Sequence, residues 1–134
     1  MINLNEGLAY NDVLLVPQYS DIQSRSEVSV ASMLRGNGPT TKLGLPIIAS
    51  PMDTVSEEAM GVAMWRQGGL AVVHRYNTIT EQATILDSII VKAGCNAAAA
   101  IGTSGDYLER ASALYETGVR ILCVDVAHGH HILM

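Results

Sequence analysis

The sequence contains no phenylalanine and a single tryptophan, which excludes an aromatic core. Val, Ile, Leu, Ala and Met must build it instead, and 49% hydrophobic residues in a chain of 134 suffice for one ordinary domain. Cysteine is also scarce. Cys95 and Cys123 stand apart among apolar neighbours, without the paired spacing of a zinc site or a disulfide framework, and are expected to be buried, reduced thiols. That usage fits a cytoplasmic protein. Basic residues are few: 8 Lys and Arg against 13 Asp and Glu give a net charge of -5, and no basic cluster is present. Nucleic acid is therefore an unsuitable partner, whereas an anionic small ligand held by backbone amides stays compatible. No apolar run approaches the roughly 20 residues that cross a bilayer, and Met1 to Tyr10 lacks the basic-then-apolar order of a signal peptide. Neither membrane insertion nor secretion is expected.

What the sequence does contain is most informative between Ala49 and Glu58. An apolar stretch, Leu45 to Ala49, ends abruptly in Ser50-Pro51-Met52-Asp53-Thr54 and a helix start at Ser56-Glu57-Glu58. Polar groups just beyond the carboxyl end of a strand can converge on a small molecule in an α/β protein. From Leu45 onward, short apolar runs alternate with longer amphipathic ones, the pattern of βαβ units on a parallel sheet. The strands are expected at Leu45 to Ala49, Leu70 to Val73, Ala97 to Ile101 and Ile121 to Val124, each nearly continuous in apolar residues, as befits strands covered on both faces.

Helices are expected between them. Ser56 is placed to cap the first, with Met60, Ala63 and Met64 on its apolar face and Gly68-Gly69 ending it. Thr80-Glu81-Gln82 opens the second, where Ile85, Ile89 and the stem of Lys92 face inward until Gly94. The third starts at Gly105 or Asp106, with Leu108, Ala111 and Tyr115 on one face and Gly118 as terminator. Four such units amount to half of a (β/α)8 TIM barrel, which typically needs about 250 residues. The chain is thus expected to be a truncated domain, with residues 45–134 as the first half of the barrel. Residues 1–44 read as an N-terminal cap segment or small hairpin packed on its lower end.

Parallel strands bring the segments that follow them to one face, where barrel enzymes hold their active sites. These segments are Ser50 to Thr54, His74 to Asn77, Gly102 to Asp106 and Asp125 to His131, and together they hold all four histidines. Ser50 has two readings, a bond to a ligand or to its own turn. Asp53 is better suited to capping the first helix than to a ligand, and His74 reads as a satisfied histidine at a strand end. Asp125, directly after Leu122-Cys123-Val124, must accept hydrogen bonds from some donor, and ribose hydroxyls match it. His128, His130 and His131 lack the helical pair or neighbouring carboxylates of a zinc site, so no metal is expected. Gly102-Thr103-Ser104-Gly105-Asp106 resembles a turn opening a helix, a weak indication of phosphate binding.

At these residues the chain resembles the IMP dehydrogenase and GMP reductase family. The resemblance is carried by Tyr10-Asn11-Asp12-Val13-Leu14-Leu15-Val16-Pro17, the Ser50 to Val55 motif, Gly68-Gly69-Leu70 with Val73-His74, Ala100-Ile101-Gly102-Thr103, and Val124-Asp125-Val126-Ala127-His128-Gly129-His130. It implies a barrel that oxidises IMP with NAD, or reductively deaminates GMP with NADPH, through a covalent bond between purine C2 and a cysteine. By the same resemblance Ser50 and Met52 match substrate-binding positions. Thr103, Ser104 and Asp125 match cofactor-binding positions, with Asp125 at the nicotinamide ribose. Ser104 replaces the ring or histidine that commonly stacks on adenine. The catalytic cysteine, a potassium site, the phosphate loops and the flap belong to the family's second barrel half, so no catalytic residue is expected in this chain. Neither Cys95 nor Cys123 matches the catalytic loop.

The Ser50 to Glu57 motif with its glycine pair is similar to the dehydrogenase, while Ser24 to Val28 and Asp125-Val126-Ala127 are similar to the reductase. The balance favours the dehydrogenase. The second helix runs straight into the third strand, leaving no room for the paired CBS module that many dehydrogenases insert there. A homotetramer is the family's usual assembly. The reading from another class is a non-catalytic half-barrel serving binding or assembly, which would have to cover the open edges at Leu45 to Ala49 and Ile121 to Val124 with another chain.

Overall fold

The structure is a computed structural model that describes residues 7–35, 40–94 and 97–134. Its centre is a parallel four-stranded sheet whose spatial order follows the chain: β3 (Ile48–Ala49), β4 (Leu70–Val73), β5 (Ala98–Ile101) and β6 (Ile121–Val124). Ile48 lies opposite Leu70, Val72 opposite Ala98, and Ile101 opposite Val124. Helices α1 (Glu58–Arg66), α2 (Ile79–Ala93) and α3 (Tyr107–Glu116) connect these strands. Before the sheet, β1 (Ser32–Leu34) and β2 (Thr41–Leu43) form an antiparallel pair. Cys95 lies outside the described residues.

Strand alternation sorts the core into two layers. Val73, Ala99 and Ile101 point to the helices and pack with Leu86, Ile89, Leu114 and Val119. On the opposite face Leu70, Val72, Ala98 and Ala100 pack with Leu43, flanked by Leu34, Ile121 and Cys123. The β1–β2 pair thus supplies the apolar groups that meet the sheet's second face. Further upstream, Leu14, Leu15 and Tyr19 are at least 94% exposed.

Four elements depart from the expectations raised by the sequence. Strand β3 is only two residues long because Pro46 has no N–H to donate and the Ile47 N–H turns back to the Leu45 carbonyl. The first helix begins at Glu58, and Ser56 does not cap it. Its buried hydroxyl donates to the Ser50 carbonyl across the preceding turn. The third helix presents Arg110 and Leu114 inward, while Leu108 and Tyr115, expected on the buried face, are 69% and 59% exposed. The second helix starts slightly earlier than expected, at Ile79. A reciprocal Thr78–Glu81 cap holds its start, the Glu81 N–H donating to Thr78 Oγ1 and the Thr78 N–H to Glu81 Oε2. It buries Gln82, Leu86 and Ile89, whereas Lys92 is exposed and pairs with Glu58.

What turns α3 is a buried polar clasp. Gln82 is fully buried, and its Nε2 donates to the carbonyls of Val73 and Ala100 at 3.2 and 3.0 Å, joining the ends of β4 and β5. Arg110, 6% exposed, donates to Gln82 Oε1 at 2.8 Å, to the Asn77 carbonyl at 3.0 Å and to Asp106 Oδ2 at 2.7 Å. The guanidinium hydrogen bond holds the Asp106 carboxyl below its ordinary range. The network is saturated at its centre, which is the condition under which buried polar groups stabilise a fold.

Three outcomes are expected. Replacing Gln82 by Leu should cost about 2–4 kcal/mol in denaturant unfolding, because two strand carbonyls and Arg110 lose a buried partner; a loss under about 0.5 kcal/mol would show the clasp to be incidental. A Cβ placed at Gly61 would come 2.9 Å from Ile89 Cγ1, so Gly61→Ala should overpack the α1–α2 contact by ~1–3 kcal/mol despite alanine's better helix propensity. The same substitution should do less harm in an Ile89→Val background, as read by thermal melts of the four proteins. On the acid side, Glu58, Glu81 and Asp106 all sit below their ordinary values because each accepts hydrogen bonds. Their contribution is present above about pH 4 and is lost as the pH falls through the lowered folded values, so Asp106→Asn should flatten the acid limb of a stability-versus-pH curve.

Candidate functional site

The parallel order sets four loops side by side at the carboxyl ends of β3, β4, β5 and β6. The first, Ser50 to Ser56, is held by its own backbone: the N–H groups of Val55 and Ser56 both donate to the Met52 carbonyl. Thr54 takes φ 59°, a left-handed conformation uncommon for a threonine, and its hydroxyl donates to the Asp53 carbonyl at 2.7 Å. Ser50 and Met52 are exposed along this turn.

His74 directly follows β4 and is only 2% exposed. The Tyr76 N–H donates to its Nδ1 at 3.2 Å, which leaves the proton on Nε2, and Nε2 faces Glu57 Oε1 at 3.2 Å with Asp53 Oδ1 at 3.8 Å. Both ring nitrogens therefore have protein partners, as expected of a satisfied histidine. Asp53 points to this ring and makes no cap for α1.

Arg75 was not singled out by the sequence, yet it links three strand ends. From β4 it passes Gly102 at the end of β5, where an added Cβ would lie 3.4 Å from Nη1. It reaches Asp125 at the end of β6, donating from Nη2 to the Asp125 carbonyl at 3.2 Å, with Nε 3.5 Å from Oδ2. Asp125 is itself fixed by its N–H, which donates to the Ile101 carbonyl at 2.9 Å. Gln82 and Arg110 are the other polar residues that sequence reasoning missed. Only the i, i+4 spacing of Asp106 and Arg110 hinted at them.

The predicted residues fall into two groups. Ser50 and Met52 lie on the β3 loop, Thr103, Ser104 and Asp125 on the β5 and β6 loops, and the β4 loop with Arg75 stands between. Thr103 lines two small clefts, one of about 210 Å³ with Val126, Ala127 and His128, and one of about 170 Å³ with Tyr107 and Val124. Ser104 is exposed at the loop tip. A larger cleft of about 500 Å³ is lined by Asp53, Glu57, His74, Tyr76 and Glu81 and includes none of the five predicted residues. The His128 and His130 rings meet edge to face at 6.4 Å, and His131 Nδ1 accepts from the Leu133 N–H. Cys123 lies within β6, where burial, followed by the charge of Asp125, pushes its thiol up; it is held as a protonated group.

The sequence model of the IMP dehydrogenase / GMP reductase domain matches residues 7–134. Among similar proteins, the inosine-5'-monophosphate dehydrogenase of Nitrosopumilus maritimus is 46% identical over 82 residues, covering 61% of this chain and 17% of that protein. The GMP reductase of Leishmania donovani is 43% identical over 86 residues, covering 64% and 17%. The inosine-5'-monophosphate dehydrogenase of Cryptosporidium parvum is 29% identical over 172 aligned residues, covering 97% and 42%. The chain spans less than half the length of each of these relatives. Since the match runs through all four loops of the rim, the chain belongs to the IMP dehydrogenase / GMP reductase family.

Proposed function

We propose that this chain is the first half of a (β/α)8 barrel in a purine-nucleotide oxidoreductase that, as the full-length protein, oxidises IMP to XMP with NAD. The observation that supports this most is the family match extending from residue 7 to residue 134, across every loop of the rim. In this reading Ser50 and Met52 meet the purine nucleotide from the β3 loop. Their exposure and the self-contained turn that carries them suit a preformed surface for a planar base.

Thr103, Ser104 and Asp125 take the cofactor side. The side chains fit a ribose: among the described residues none donates a direct hydrogen bond to the Asp125 carboxylate, and Thr103 lines a cleft beside it in the next loop. Bound NAD would supply the oxidising power, and IMP, NAD and water would give XMP, NADH and a proton. Ser104 has no ring to offer adenine, so that part of the dinucleotide depends on other residues. The nucleophilic cysteine and the potassium site would come from the remaining barrel half, and the protonated Cys123 thiol inside β6 is no substitute. A homotetramer is the assembly proposed for the whole protein.

GMP reductase is the second reading, favoured by the 43% identity to the Leishmania enzyme. Assays of the full-length protein decide between them: IMP with NAD should give XMP, whereas turnover of GMP with NADPH alone would establish the reductase. The 134-residue chain by itself should turn over neither substrate, and measurable XMP formation by it would show that the chemistry resides in this half.

A further inference from the structure

We propose that Arg75 is a positioning residue that holds the Asp125 carboxylate in the orientation a cofactor ribose requires; this rests on the cofactor-side reading of Asp125. The inference comes from geometry that the rest of the fold leaves unexplained. Arg75 is 34% and Asp125 28% exposed by side chain, so the pair sits at the rim without being free in solvent. The guanidinium starts from a well-anchored point, since the residue before it, His74, is buried and bonded through both ring nitrogens. It then extends past Gly102, where the absence of a side chain lets Nη1 lie close over the backbone, with the Tyr76 ring 5.4 Å from its central carbon.

At Asp125 the two ends of the guanidinium do different things. Nη2 donates to the main-chain carbonyl at 3.2 Å and fixes the backbone. Nε, buried and without a hydrogen-bond partner, lies 3.5 Å from Oδ2, close enough to attract the carboxylate and too far to use up an acceptor. A carboxylate offers about four acceptor sites, so a diol donating two O–H groups finds room on it. Arginine suits the task because its rigid fork reaches main chain and carboxylate together, which a lysine ammonium on a flexible stem does not.

The test is a double-mutant cycle in the full-length protein, with IMP saturating and NAD varied. Arg75→Met should raise the KM for NAD about tenfold, the scale of one charge-assisted contact. The KM for IMP and the melting temperature should stay near wild type, and Arg75→Lys should recover part of the loss. In an Asp125→Ala background Arg75→Met should add nothing, because its effect runs through the carboxylate. An equal loss in that background would mean that Arg75 touches the ligand directly, and a normal NAD KM for Arg75→Met beside an impaired Asp125→Ala would mean that the carboxylate needs no positioning; either result overturns the inference. If Asp125→Ala itself leaves the NAD KM unchanged, the cofactor-side reading of Asp125 falls first and the inference with it. Should Arg75→Met fail to fold, the Arg75→Lys arm of the same cycle decides, with a KM increase expected alone and none beyond that of Asp125→Ala in the double variant.

Discussion

The hydrogen bonds that Gln82 makes to the carbonyls of Val73 and Ala100 are the constraint on which the rest of the structure depends. The main-chain carbonyls of Val73 and Ala100 lie in the buried interior near the carboxyl ends of their strands, and a buried acceptor without a donor is expensive. One amide from α2 serves both. Its oxygen is then committed to Arg110, which fixes the rotation of α3, and the same guanidinium ties down Asn77 and Asp106 at the ends of two loops, where α2 and α3 begin. Strand spacing, helix orientation and loop position thus follow from one saturated group.

The same logic explains what could be read in the sequence. Strands β4, β5 and β6 were legible because Leu70–Val73, Ala98–Ile101 and Ile121–Val124 are unbroken apolar runs; β4 and β5 are buried along their whole length, as that pattern implies, whereas β6 at the sheet edge leaves Leu122 and Val124 exposed. β3 was overestimated because the apolar character of Leu45 to Ala49 does not register the missing N–H of Pro46. In α3 the sequence pattern favoured Leu108 and Tyr115, yet a charged residue took the interior because the buried amide needed it more than the core needed a second aliphatic group. Tyr115 found other company, with Arg120 stacked 4.2 Å over its ring.

At the rim, the loops themselves were predictable from parallel topology, whereas the contacts between them were not. Asp125 was recognisable as a carboxylate in want of a donor, but its cation lies fifty positions earlier in the chain. No local spacing encodes such a pair; only a parallel sheet that gathers its strand ends on one side, with Gly102 of the intervening loop leaving room, creates it. His74 is the converse case, since the polar neighbours that occupy it, Asp53, Glu57 and Tyr76, all come from the same two loops. The β4 loop thus commits its histidine to the β3 loop and its arginine to the carboxyl end of β6, two strands away.

Because the sheet order repeats the chain order, each strand pairs only with the units immediately before and after it, and each helix packs beside its sequence neighbours. Each such pairing closes only the single βα unit between its two strands, so no strand pairing waits on a loop longer than one unit. The chain can therefore condense one βα unit at a time from its amino end, in the direction in which a ribosome delivers it. The Gln82 clasp marks a step in that sequence: it cannot close until β5 has docked on β4, and Arg110 can lock it only once α3 has formed.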